Sequence, residues 1–176
     1  MDDKKPVLYL VLPCYNESET IEYSSGKVRD KLNRLIEMGT ISPFSKAMFV
    51  DDGSKDDTLS KLHELSASDP MFAVVALSSN RGHQNAIMAG MMVAKDHADI
   101  VVTIDADLQQ DIEALDEFIA RFREGNDVVY GIRNDRKSDG PLKKNDCIML
   151  LRPHAHDGSR YNDQSCRLPS DVKKSS

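Results

Sequence analysis

Asp105 and Asp107 stand one residue apart, just after the apolar run Ile100–Ile104. In extended geometry residues two apart point to the same side. Two carboxylates on one side make a hard oxygen site suited to Mg²⁺ or Mn²⁺. Such a metal would neutralise charge on a leaving nucleoside diphosphate, which is Lewis-acid catalysis. The competing role is capping of the next helix, for which Asp111 is better placed. Asp51 and Asp52 precede Gly53 at another apolar run. Aspartates there can accept from a uracil or guanine N–H or from ribose hydroxyls, or they can form an Asx-turn. Arg133 and Arg136 offer forked guanidinium groups for phosphate oxygens, or they are simply solvated. His83 is either a general base or a residue that orders the loop before a helix.

These residues need a frame that gathers them. Val7–Leu12, Phe44–Val50, Phe72–Leu77, Ile100–Ile104 and Val128–Ile132 read as strands. Between them Ile21–Ile36, Thr58–Leu65, Gln84–Asp96 and Ile112–Arg123 read as helices, the second capped by Asp56 or Asp57. Alternation of this kind implies a parallel sheet with helices on both faces. Ligands of such sheets bind outside the carboxyl ends of the strands. The candidate residues fall at those ends: Pro13–Glu17, Asp51–Ser54, Ser78–His83 and Asp105–Gln109. Met88, Met91 and Met92 are expected to pack in the core, Cys14 to be small and buried, and the charged faces at 27–34 and 121–124 to meet solvent.

The length of 176 residues suits one α/β domain. A net charge of −6 argues against nucleic acid as the main partner. Three cysteines without paired spacing suggest neither a zinc site nor disulfides, and a reducing compartment is expected. No signal-peptide layout is present, and no run reaches the roughly 18 apolar residues of a membrane span, so a soluble chain is expected.

Four motifs in order carry a resemblance: Leu12-Pro-Cys-Tyr-Asn-Glu17, Val50-Asp-Asp-Gly-Ser54, Asn80-Arg-Gly-His-Gln84 and Asp105-Ala-Asp-Leu-Gln109. Residues 6–144 resemble the family 2 glycosyltransferases, in particular bacterial polyprenyl-phosphate glycosyltransferases and relatives of dolichol-phosphate mannose synthase. The resemblance implies the GT-A fold, a Rossmann-like three-layer α/β sandwich with a mostly parallel central sheet. It implies that Pro13, Tyr15, Glu17, Asp52 and Asp105 hold the nucleoside. Asp105 and Asp107 would hold Mg²⁺ or Mn²⁺, Gln109 would reach the sugar diphosphate, and Arg133 and Arg136 would meet phosphate. The implied donor is a UDP- or GDP-sugar, the implied acceptor a polyprenyl phosphate, and the outcome inversion at the anomeric carbon. The implied location is the cytoplasmic face of the membrane. Two alternatives stay open: a catalytically impaired nucleotide-sugar-binding fragment, and a sugar-nucleotidyltransferase. The second would carry a Gly-rich basic loop where Pro13–Glu17 stands.

The pattern places no element after Lys144, so residues 1–144 are expected to form an incomplete nucleotide-sugar-binding domain and 145–176 an atypical tail. Back-translated and read one base later, that tail can encode a segment resembling the family's continuation. Two shifted codons, across His154–Ala155 and Asp171–Val172, are restricted to Met or Thr. A frameshift near Lys144 is therefore expected, with the catalytic residues in the lost part. Apolar surface left uncovered would favour homodimers or aggregation. The nucleotide sequence checks this.

Overall fold

A computed structural model describes residues 5–108, 112–130 and 149–151 of the chain. β1 (Leu8–Cys14) reads LYLVLPC and is buried throughout. Its residues divide between two cores: Leu8, Leu10, Leu12 and Cys14 on one face, Tyr9 and Val11 on the other. An apolar run on both faces is what a central parallel strand requires. β2 (Lys46–Asp51) and β3 (Phe72–Ala76) extend the sheet on one side, and β4 (Ile100–Thr103) on the other. The order is β3-β2-β1-β4-β6-β5, where β5 is Val128–Tyr130 and β6 is Met149–Leu151. β1 pairs in parallel with β2 and β4, and β2 with β3. β6 runs antiparallel to both β4 and β5.

Helices cover both faces, as expected. On one side lie α1 (Ile21–Glu37), α2 (Thr58–Ser68) and α4 (Leu115–Arg123), which follows a 3₁₀ turn at Ile112–Ala114. They bury Val28, Leu32, Leu35, Leu62, Leu115, Phe118 and Ile119. On the other side, among the described residues, lies α3 (His83–Ala94). It meets the sheet through Ala86, Gly90 and Ala94, four residues apart on one stripe. A Cβ on Gly90 would lie 2.5 Å from Val11 and 2.8 Å from Val50, so the helix sits too close for larger residues.

Several expectations are corrected. Met88 and Met92 are 57% and 53% exposed, because the small-residue stripe is the one that faces the sheet. Lys31 is buried, although the face around 27–34 reads as solvated. Its ammonium lies 2.8 Å from both Glu113 and Asp116, and Arg34 pairs with the same two carboxylates. The second strand starts at Lys46, and Phe44 is exposed. A sixth strand occurs at 149–151, within the segment expected to lack pattern. Of the two capping candidates of α2, Asp57 holds the N-cap position without a side-chain cap bond, while Asp56 Oδ1 accepts from the Thr58 N–H and hydroxyl at 3.1 and 2.6 Å.

Two of these carboxylates contribute to the acid sensitivity of the fold. Hydrogen bonds from Lys31 and Arg34 hold Glu113 below its ordinary value of 4.5. Hydrogen bonds from Thr58 and Ser18 hold Asp56 well below its ordinary 3.8. A lowered folded-state pKa gives stability that is complete above those ordinary values and is lost as pH falls through the folded ones. Tm is therefore expected to be flat from pH 7 to 5 and to drop steeply below about 4. A melting series across that range, repeated on Asp56→Asn, checks this: the variant should show a shallower acid drop.

Candidate functional site

The strand order turns around between β1 and β4, and in open parallel sheets the crevice forms at such a switch point. Pro13 and Asp105 lie two residues beyond the paired Val11 and Thr103, respectively, at the sheet's carboxyl edge. A cleft of about 340 Å³ opens there. Pro13, Tyr15, Glu17, Asp52, Asp105 and Asp107 all line it. Gln109, Arg133 and Arg136 lie outside the described residues, as does Asp111.

Side-chain clamps build the rim. Asn16 adopts φ 55°, a left-handed conformation that Asn tolerates better than most residues. Its N–H donates to Ser54 Oγ at 2.9 Å, and its Oδ1 accepts from Lys55 N–H at 2.8 Å. The Glu17 and Ser18 N–H groups donate to Thr58 and Asp56. The loop after β1 is thereby locked to the loop after β2.

Asp52 is buried, and both of its oxygens are engaged. Oδ1 accepts from Arg81 N–H at 2.7 Å and Oδ2 from Gly82 N–H at 2.8 Å. Its carboxylate therefore fixes the loop after β3 while it lines the cleft. Asp51 is the turn-former: its Oδ2 accepts from Ser54 N–H at 3.1 Å. Gly53 has φ 69°, and a Cβ there would lie 2.6 Å from the Ser79 backbone.

Asp105 and Asp107 share the cleft, but not through extended geometry. β4 ends at Thr103, and Asp105 to Leu108 forms a turn closed by Leu108 N–H donating to Asp105 O at 3.1 Å. Leu108 takes φ 49° there while packing against the core. Left-handed backbone costs a branched residue about 1–2 kcal/mol and persists only where the surroundings enforce it.

The opposite wall is the start of α3, which the sequence motifs mark only as a loop. Asn80, Gly82, His83 and Ala86 line it. Gly82 is the N-cap residue, with φ 90° and ψ 150°, a conformation nearly confined to glycine. Early N–H groups of a helix favour anions. His83 Nε2 lies 3.4 Å from Asp105 Oδ1, so the imidazole belongs to the cleft as well as to the helix start.

Cys14 lines the cleft floor as a buried thiol donating to Val50 O at 3.5 Å. Burial first, then the charges of Asp51, Glu17, Asp56 and Asp52, push its pKa up to about 12. Only the thiolate is nucleophilic. Iodoacetamide at pH 8 is therefore expected to leave Cys14 unmodified in the folded chain and to alkylate it in urea, as read by peptide mass spectrometry. Rapid labelling of the folded chain would refute the burial.

Glu17, Asp52, Asp105 and Asp107 put four carboxylates on the cleft, and no Lys or Arg lines it among the described residues. Also among the described residues, no group of three or more His, Cys, Asp or Glu side chains is placed to hold a metal ion. Mg²⁺ commonly takes one or two carboxylates, with substrate phosphates completing its shell.

The profile of glycosyl transferase family 2 matches residues 9–168. The Bacillus subtilis glycosyltransferase YkoT is 39% identical over 152 residues, covering 86% of this chain and 45% of that protein. The bactoprenol glucosyl transferase of Shigella phage SfV is 35% identical over 148 residues, covering 82% of this chain and 45% of its own. The chain thus spans a little under half the length of these relatives. Among solved structures, Staphylococcus aureus TarS 1–349 superposes with a TM-score of 0.58 at 17% identity, covering 84% of this chain and 47% of that one. A mannosyltransferase from Pyrobaculum calidifontis, in complex with GDP-mannose and Mn²⁺, superposes with a TM-score of 0.56 at 21% identity, covering 84% and 45%. These likenesses establish the GT-A fold. With its profile matched over most of its length, the chain is a member of glycosyl transferase family 2.

Proposed function

We propose that this chain binds a UDP- or GDP-sugar with a divalent cation and serves transfer of the sugar, with inversion, to a polyprenyl phosphate. The observation that carries this is the charge of the cleft. Four carboxylates with no described Lys or Arg on the wall would repel a diphosphate unless a cation lay between them. Asp105 and Asp107 are the residues that would hold Mg²⁺ or Mn²⁺. When bound, the cation would stabilise charge on the departing nucleoside diphosphate.

The remaining work falls to this chain's own groups. Pro13 and Tyr15 offer an apolar wall for the base, with Glu17 beside the ribose. Asp52 keeps the loop before α3 in place. The start of α3 presents N–H groups toward the diphosphate. In the transfer, an acceptor phosphate oxygen forms a bond to the anomeric carbon. The bond from that carbon to the diphosphate oxygen breaks, and its electron pair leaves with the nucleotide. A phosphate monoester is already anionic at pH 7, so a strong base is not required. Gln109, Arg133 and Arg136 are assigned to the sugar diphosphate and to phosphate. Donor binding falls within residues 1–144, and the acceptor side beyond them. The relatives named for bactoprenol support the lipid acceptor. In the described residues no helix is long and apolar enough to cross a membrane.

Calorimetry with UDP, GDP and their sugars, with and without Mn²⁺, tests donor binding. A radiolabel assay onto a polyprenyl phosphate tests transfer. Mn²⁺-dependent binding of one nucleotide is the expected result, and label in the lipid fraction would show that the acceptor side and the catalytic residues are present. Binding without transfer would favour the fragment reading, and no nucleotide binding at all would overturn the proposal.

A further inference from the structure

We infer that Lys31, remote from the cleft lining, is a positioning residue for the turn that carries Asp105 and Asp107. The inference rests on the proposal that those two carboxylates hold a cation. Lys31 lies midway along α1 with its side chain 1% exposed. Its Nζ donates to Glu113 Oε2 and Asp116 Oδ2, both at 2.8 Å. Glu113 sits in the 3₁₀ turn that follows the Asp105–Leu108 turn, and Asp116 in the first turn of α4. Arg34 grips the same pair from one turn further along α1. At the far end of α4, Arg123 donates to Thr40 O at 3.0 Å. α4 is thus fastened to the α1 region at both ends.

The carboxylate turn hangs between two anchors. β4 holds its start through hydrogen-bonded pairing with β1, and the Lys31 cluster holds the 3₁₀ turn beyond it. Leu108, in a conformation its backbone does not favour, packs against the core that includes Leu115 and Phe118. Ile112 and Ala114 of the 3₁₀ turn pack against the same core as Leu108, so the turn held by Lys31 and the segment carrying the two carboxylates share one support.

A buried ammonium is a poor device for stability alone, because a methionine of similar reach packs the same stem without desolvating a charge. Glu113 and Asp116 are each 53% exposed and would hydrate if the ammonium were removed. Removing it therefore separates positioning from folding. Groups that orient metal ligands from outside typically change metal affinity 10–100-fold.

The test titrates the 176-residue chain with UDP and with GDP, each with and without Mn²⁺, alongside Lys31→Met, Lys31→Arg and Glu113→Gln. Lys31→Met is expected to lose about tenfold in the Mn²⁺-dependent part of nucleotide affinity. Its metal-free affinity and its Tm at pH 7 should stay near those of the parent. Lys31→Arg should recover most of the loss, and the half-exposed Glu113→Gln should reproduce it. If the parent responds to Mn²⁺ and Lys31→Met and Glu113→Gln respond equally, the positioning role is wrong while the cation proposal stands. If the parent itself ignores Mn²⁺, the cation proposal fails and the positioning role fails with it.

Discussion

Asp107→Asn is expected to remove the Mn²⁺-dependent part of nucleotide binding and to reduce sugar transfer by on the order of 10²–10³-fold, the scale seen when one charge-stabilising group is lost from an active site. The reasoning is electrostatic. The amide keeps the shape of the side chain and one acceptor oxygen, but it removes a full negative charge from a two-carboxylate site. A cation held by this carboxylate pair loses half of the pair's charge when one member becomes an amide. At Asp105 a change would also disturb the start of α3, because its Oδ1 lies 3.4 Å from His83 Nε2. Both aspartates lie on the cleft wall with Glu17 and Asp52, so neutralising one relieves repulsion in the empty site. A cooperative melting transition that stays above the assay temperature separates a lost function from a lost fold. Calorimetry with UDP and GDP, with and without Mn²⁺, reads the first effect and a melting curve reads the second. An Asp107→Asn chain that binds nucleotide in Mn²⁺ as tightly as the parent would remove the physical basis of the proposed function.

How far the sequence exposes this arrangement depends on the range of the interactions involved. β1 is legible because burial on both faces needs an unbroken apolar run, and LYLVLPC is one. Acidic and small residues after each strand mark the rim for the same local reason. Lys31 is not legible: its partners are 82 and 85 residues away, and no local pattern distinguishes it from a solvated lysine. Met91 packs against the core as expected, but Met88 and Met92 mislead because large apolar residues normally face a core. Here the sheet lies too close, and the inward stripe is Ala86, Gly90 and Ala94. The Asp-x-Asp spacing puts both residues on the cleft wall, but through a turn and not through the extended geometry the sequence suggests. β6 escapes notice because three residues, Met149–Leu151, are too few to show periodicity, and their place in the sheet is set by β4 and β5.

A second large effect concerns a glycine that carries no chemistry. Gly53→Ala is expected to destabilise the chain by roughly 2–5 kcal/mol, from left-handed backbone plus overpacking. For a chain of this size that lowers Tm by about 10 °C. At φ 69° an alanine is strained whatever the space around it, and here there is none: the new Cβ would lie 2.6 Å from Ser79 C and 2.7 Å from Asn80 N. Both are backbone atoms, so no rotamer change relieves the clash. The loop after β3 must move, and that loop is the one Asp52 holds through the Arg81 and Gly82 N–H groups. Nucleotide affinity should therefore fall together with stability, even though Gly53 is not among the residues that line the cleft. Gly26→Ala supplies the control. Gly26 lies inside α1 with nothing within 4 Å of its added Cβ, so alanine there should stabilise by about 0.5–1 kcal/mol. Paired melting curves and nucleotide titrations on the two variants decide the matter. Opposite signs in Tm, with binding lost only in Gly53→Ala, are the expected pattern. A Gly53→Ala chain with unchanged Tm would mean that the two loops do not pack as closely as the backbone distances require.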